Sequence, residues 1–246
     1  MDQTTIQDLQ KLAKQYFEIA STHVAQSSEL NEQLRKAILG TNLREGAEVP
    51  GFEEKPLKFG KFENRPFVAM MTDIRKSSDI INGANGLVNM FLIFYIYAGI
   101  ISKIVDSHKG TSTEFLGDGV LNLFDTKEGG LADALRSSML ASWEILEARN
   151  LILNPLFSTI GLPMINLGIG IDHGITIVTR FGYRNDTDLK AFGNCVYNVS
   201  KLSKGFNEII VSENSKLNWP SNPGGALRFE DPVYVDNKIA YRTSKI

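Results

Sequence analysis

The chain has 246 residues, 43% of them hydrophobic and 22% charged. This is the composition of an ordinary globular chain with one substantial core and little room for a second full domain. A formal net charge of −2 gives no global reason to expect nucleic acid or an anionic membrane as partner. Cys195 is the only cysteine, which excludes an intrachain disulfide and favours a reducing compartment. The opening MDQTTIQDLQ lacks the basic and apolar regions of a signal peptide, so the expected location is the cytoplasm.

From Thr5 to about Leu39 the pattern is helical. Ile6, Leu9, Leu12, Ala13, Tyr16, Phe17 and Ala20 recur at three- and four-residue steps, and a second helix is expected over Ser28 to Leu39. Packing or dimerisation, rather than chemistry, is the expected role of both. Asn42 to Pro66 is rich in Gly, Pro and Glu and is expected to be a linker. PFVAMMTDI then predicts a buried strand ending at Thr72 and Asp73. Leu87 to Val105 (LVNMFLIFYIYAGIISKIV) is nearly the length of a bilayer span, about 20 residues. Asn89, Ser102 and Lys103 interrupt it and leave only Met90 to Ile101 uninterrupted, which points to a buried core helix. STEFLGDGVLNLF predicts two strands joined at Gly117-Asp118-Gly119. ALRSSMLASWEILEARN predicts a helix, and NLGIGIDHGITIVTRFG a strand pair or hairpin. KAFGNCVYNVSKLSKG predicts a further helix, EIIVSE a strand, and VYVDNKIAY a closing hairpin without chemistry. The order β-α-β-β-α-β, with additions, makes the fold class α+β and ferredoxin-like. The expected division is 1–60 for N-terminal helices and linker and 61–246 for the main domain, with a core of about 65–215 and a C-terminal β extension.

The candidate chemistry lies at strand ends. Asp73 ends one buried strand and Asp118 tips the following hairpin, and in such a sheet these strands lie close together. Either aspartate alone has an ordinary structural explanation, Asp118 as a turn residue and Asp73 as a helix N-cap. Together they form a hard oxygen donor pair with no His or Cys cluster nearby, which suits two Mg²⁺ or Mn²⁺ ions rather than zinc. His23, His108 and His173 lie in different segments without metal-ligand spacing. Cys195 fits a small core residue. No Ser-His-Asp order, Walker loop or zinc signature is present.

TDIRKSS, FLGDGVLNLF, LGIGIDHGITIVTRFG and FGNCVYNVSKLSKGFNEIIVSE resemble, in that order, the class III adenylyl and guanylyl cyclase catalytic domain. More narrowly they resemble the bacterial pyrimidine cyclases of Pycsar anti-phage systems, over roughly Arg65 to Ser215. The resemblance implies that Asp73 and Asp118 bind the metals together with the carbonyl of Ile74. It implies that the turn of Arg75, Lys76, Ser77 and Ser78 holds the triphosphate at a helix start, a sensible place for an anion. Arg184 matches an arginine that grips the phosphates, with Arg180 a weaker second candidate.

The chain also departs from the family pattern. Tyr197 stands where the family usually has Asn, and Lys201 where it has the Arg that stabilises transition-state charge. Lysine keeps the charge but loses the bidentate fork. Asn198 supplies the amide if the helix register differs slightly, and Tyr197 packs either on the ribose or base or in the core. The resemblance places the base-reading residues at Glu114 and Lys190. Lys190 can donate to a carbonyl while Glu114 accepts from an adjacent N–H, the edge that uracil and guanine share and that adenine and cytosine lack. A mispaired buried edge costs about 1–3 kcal/mol per group. A plain Glu114–Lys190 ion pair is the alternative.

Residue chemistry does not separate uracil from guanine, and the pyrimidine resemblance favours UTP. The expectation is a cytoplasmic nucleotidyl cyclase converting UTP to cUMP and pyrophosphate in anti-phage defence. It would be a head-to-tail homodimer with interfacial sites, without nucleic-acid or membrane partners. The alternatives are a guanylyl or cytidylyl cyclase, or a degenerate domain that binds nucleotide without turning it over.

Overall fold

The computed structural model describes residues 1–26, 62–183, 186–220 and 225–245. The expected second helix over Ser28 to Leu39, most of the expected linker, and Arg184 lie outside the described residues.

The apolar run FVAMM lies in β1 (Phe62–Ile74), whose stretch from Phe67 to Thr72 is buried without interruption. Such a run marks a strand covered on both faces. Val68, Met70 and Ile74 face the larger core, beneath α1 (Gln3–Gln26), α3 (Gly86–Ser107) and α4 (Gly130–Ala148). Phe67, Ala69 and Met71 face a smaller core with Leu121, Leu123, Val178, Cys195 and Val199. Between β1 and α3 stands the short α2 (Ser77–Ile81). β1 begins four residues before the expected start at Pro66, because Phe62 to Arg65 still pair with Thr176 to Thr179 of the neighbouring strand.

The hydrophobic helix α3 is, by length and composition, long enough to cross a membrane, yet half of its most apolar window is buried inside the protein. Eleven of its 22 residues are buried. Tyr97 among them donates to Thr72 Oγ1 at 2.8 Å, so its hydroxyl is satisfied in the core. α1 packs along α3: a Cβ added at Gly99 would stand 2.3 Å from the Tyr16 ring, and Tyr16 meets Tyr95 edge to face at 5.5 Å.

After α3 come β2 (Gly110–Leu116) and β3 (Gly119–Asp125), the expected hairpin. α4 runs through a π-helical turn at 149–153 into α5 (Asn154–Thr159). The segment expected to be a strand pair is one 17-residue strand, β4 (Leu167–Tyr183). Its glycines do not turn the chain; they admit a helix. A Cβ at Gly168 would lie 2.0 Å from Ser203 O, and one at Gly170 2.6 Å from Val199 O. The partner of the distal half of β4 is β5 (Asp186–Phe192), whose Lys190 to Phe192 were expected to open the next helix. That helix, α6 (Asn194–Leu202), begins only after Gly193.

β6 (Glu208–Ser212) runs parallel to β4, followed by α7 (Glu213–Leu217) and the expected closing hairpin of β7 (Leu227–Val235) and β8 (Lys238–Lys245). Its two-residue turn, Asp236-Asn237, has φ of 52° and 61°, the left-handed pair of a type I′ turn. The sheet order is β2-β3-β1-β4-β6-β8-β7, with β5 on β4. The α+β class is as expected. The central strands β3, β1 and β4 carry α3 and α4 on one face and α6 on the other.

Candidate functional site

Alternation along β1 puts Asp73 on the α6 side of the sheet, beyond Phe67, Ala69 and Met71. Glycines stand opposite it on both neighbouring strands, Gly119 on β3 and Gly168 on β4. A Cβ at Gly119 would lie 3.4 Å from Asp73 Oδ1, so glycine leaves the carboxylate its space. Asp118, in the β2–β3 turn, accepts from the Ile74 N–H through its backbone carbonyl at 3.4 Å. The turn is made by Gly117 at φ 64°, a conformation natural to glycine.

Burial, and next the negative charge of Asp118, push the Asp73 carboxyl up to about 6, while Arg75 and Lys204 pull it down. The structure thus brings Asp73 and Asp118 within electrostatic reach, a half-buried carboxylate beside a second negative charge. Arg75 answers part of it: Nη2 is 2.8 Å from Asp73 Oδ2, and Nη1 donates to Ser203 O at 3.4 Å. Its Nε is buried without a hydrogen-bond partner.

Among the described residues no group of three or more His, Cys, Asp or Glu could hold a metal. The two carboxylates at the end of β1 still fit Mg²⁺ or Mn²⁺. Magnesium is commonly held by one or two carboxylates, with waters and substrate phosphates completing its shell. Burial and then Asp118 raise the Asp73 carboxyl, and a bound cation would favour its charged form.

The Arg75 to Ser78 turn leads into α2, only five residues long. Lys76 sits at φ 58°, and Lys76 and Ser78 are exposed. The Arg75 N–H already donates to Asn166 O at 2.8 Å, so that amide is committed within the protein. Arg180 is partly buried on β4, opposite Leu189.

Glu114 and Lys190 form a second set. An irregularity in β2 between Ser112 and Glu114 turns the Glu114 side chain towards β5. There Oε2 accepts from Lys190 Nζ at 2.9 Å and Oε1 from the Ala191 N–H at 2.7 Å. With side-chain exposures of 7% for Glu114 and 34% for Lys190, this is a partly buried pair rather than a loose surface one. Lys190 is its accessible member.

The third set lies on α6. Tyr197 is 54% exposed, so it is not a core tyrosine. Lys201 Nζ lies 5.1 Å from its ring centroid, a cation–π distance, and its hydroxyl donates to Asp236 Oδ2 at 3.4 Å. Asn198 is committed at both ends: Nδ2 donates to Asp172 Oδ2 at 2.7 Å, and Oδ1 accepts from Lys238 Nζ at 2.9 Å. One N–H and one lone pair of its amide are thereby used within the protein. Beneath α6 and the β7–β8 turn lies a cavity of about 720 Å³, lined among others by Asp172, Asn198, Lys201 and Lys238. Cys195, on the inner side of α6, has its thiol pushed up by burial, which suits an inert core residue. His108 pairs with Glu144 at 2.8 Å, and His173 Nδ1 lies 3.0 Å from Ser215 Oγ.

The structure therefore groups the candidates as Asp73–Asp118–Arg75, Glu114–Lys190 and Tyr197–Asn198–Lys201. Neither of the first two sets lines the cavity of the third. Sequence reasoning did not single out Lys238, Lys204 or Asp172. DNK marked a turn, but nothing in it marked the lysine as facing α6, and Asp172 was hidden inside a strand taken for a hairpin.

No family model matches the chain. An adenylate cyclase of Anabaena cylindrica is 24% identical over 180 residues, covering 71% of this chain and 35% of its own; the chain spans about a third of that relative's length. Among solved structures, the guanylyl cyclase Cya2 superposes with a TM-score of 0.62 at 24% identity, over 75% of this chain and 94% of that one. The adenylyl cyclase CyaB from P. aeruginosa gives 0.63 at 18% identity, over 76% and 97%. The guanylate cyclase domain of RhGC from Catenaria anguillulae, in complex with GTP, gives 0.57 at 16% identity, over 76% and 99%. With its mixed eight-stranded sheet and these neighbours, the chain has the fold of the class III nucleotidyl cyclase catalytic domain.

Proposed function

We propose that the chain is a nucleotidyl cyclase that converts a nucleoside triphosphate, UTP in preference, to its 3′,5′-cyclic monophosphate and pyrophosphate. The observation that carries this reading is the convergence of Asp73 and Asp118 at the end of β1, with the Asp73 carboxyl raised to about 6 by burial and by its acidic neighbour. A divalent metal bound there would supply charge neutralisation on the phosphates and a lowered pKa for the ribose 3′-hydroxyl. The chain's own residues do the rest. Asp73 and Asp118 hold the acidic end of the site, and Arg75, freed from Asp73, faces the phosphates. Lys201 stabilises charge on the reacting phosphoryl group as a point cation. The 3′-oxygen bonds to the α-phosphorus as the bond to the α–β bridging oxygen breaks. Pyrophosphate leaves and the hydroxyl proton passes to solvent.

Lys190 donates to a base carbonyl. Glu114 uses one lone pair on each oxygen within the protein and keeps others for a base N–H. This edge fits uracil and guanine alike, so a guanylyl cyclase is the second reading. The motif resemblance to pyrimidine cyclases supports UTP, and with it a cyclic pyrimidine messenger in anti-phage defence.

Neither the acidic set nor the Glu114–Lys190 set lines the α6 cavity, which supports a site assembled from two protomers, the acidic set of one facing the Lys190 and Lys201 sets of its partner. Exposed apolar residues flank both halves: Phe115 and Leu116 beside Asp118, and Ile175, Ile177 and Phe192 near α6. Incubation with Mn²⁺ and each of the four nucleoside triphosphates, with products identified by mass spectrometry, tests the reading. Cyclic UMP as the main product is expected. Cyclic GMP would replace UTP with GTP, cyclic AMP would refute the base-edge argument, and no cyclic product would refute the enzyme.

A further inference from the structure

Asp172 lies on β4 under α6 and is 2% exposed. Its Oδ1 accepts from the His173 N–H at 2.8 Å, from Ser215 Oγ at 3.3 Å and from Ser212 Oγ. Its Oδ2 accepts from Asn198 Nδ2 at 2.7 Å. Every one of these donors is neutral. The nearest cation on this chain of bonds is one residue further out, where Lys238 Nζ donates to Asn198 Oδ1 at 2.9 Å.

The chemistry of the ends fixes the middle. A carboxylate only accepts and an ammonium only donates, so the Asn198 amide has one orientation that satisfies both. Asp172 therefore decides which atom of Asn198 faces Lys238. Lys238 follows the left-handed Asp236-Asn237 turn, which Tyr197 also holds through Asp236. Lys238 and Lys201 both line the same cavity.

We propose that Asp172 is a positioning residue: acting through Asn198, it holds Lys238 over the cavity beneath α6, where Lys238 and Lys201 together receive the polyphosphate. This rests on the cyclase reading. Asp172→Asn keeps the side chain's shape but presents an amide whose donors oppose Asn198 Nδ2. Asn198 then turns its own NH₂ towards Lys238, and the lysine leaves its place.

The test is a double-mutant cycle on wild type, Asp172→Asn, Lys238→Ala and the double variant. It is read by pyrophosphate binding in calorimetry, by KM and kcat, and by melting temperature. Asp172→Asn is expected to weaken pyrophosphate binding and raise KM by about tenfold, with kcat changed less than about threefold. Lys238→Ala is expected to do at least as much, and the double variant to match Lys238→Ala alone. Additive losses, a fall in kcat at unchanged KM, or an Asp172→Asn protein indistinguishable from wild type would each overturn the proposal. If Asp172→Asn does not fold, Asn198→Ala takes its place in the same cycle, since it cuts the link and leaves the other three donors on Asp172. A wild-type protein that neither binds pyrophosphate nor forms cyclic nucleotide sinks the cyclase reading itself; an active wild type without coupling sinks only the role of Asp172.

Discussion

Asp73 is held in the folded protein at a cost that its surroundings only partly offset. Its carboxyl is raised from 3.8 to about 6, so the folded state favours the protonated form. The destabilisation is absent below the unfolded value, grows between the two, and is fully present above about pH 6. Discounted for solvent screening, it is worth about 1 kcal/mol. Asp73→Asn should therefore melt higher than wild type at pH 7.5 without metal, by about 2–4 °C, and the two should converge as pH falls towards 4. A variant melting lower than wild type at pH 7.5 would contradict this.

The position of Asp73 was legible because a buried apolar run ends there, and that of Asp118 because Gly-Asp-Gly is a turn. The third partner, Arg75, could be named from the sequence. Its ion pair with Asp73 could not, since it depends on Ser203 O reaching the same guanidinium from α6. Asn198 shows the same limit. Its place on the helix was readable, but both ends of its amide are decided by residues 26 and 40 positions away.

At the scale of elements, the glycines of β4 carry the packing of α6. Gly168→Ala would force a Cβ to 2.0 Å from a backbone carbonyl, which no rotamer relieves. Overpacking of this kind costs about 1–3 kcal/mol, a fall in melting temperature of about 2–12 °C for a chain of this size. Gly174→Ala is the control: its Cβ would meet only Cys195, at 3.6 Å, and melting within about 2 °C of wild type is expected. Equal melting temperatures for the two variants would refute the close approach. These glycines also explain why β4 was hard to read. Gly-rich stretches signal turns, and a strand that uses glycine to admit a helix looks the same in sequence. β1, by contrast, was readable because burial on both faces left an unbroken apolar run.

At the scale of the whole molecule, the acidic set does not line the α6 cavity, and that division gives the dimer reading a direct check. Asp73→Ala and Lys201→Ala should each be nearly inactive alone. Mixed, they form heterodimers in which one of the two sites carries both defects and the other neither, so activity should return to about a quarter of wild type for random pairing. No recovery in a mixture shown to exchange subunits would place each whole site within a single chain.

The central claim, cyclisation at the Asp73–Asp118 pair, is tested most directly by Asp118→Ala. Asp118 lies in a turn, where its replacement leaves both cores untouched. With Mn²⁺ and UTP, wild type should yield cyclic UMP and pyrophosphate in equal amounts. The variant, melting within about 2 °C of wild type, should yield neither. Cyclic product from Asp118→Ala at the wild-type rate would contradict the account.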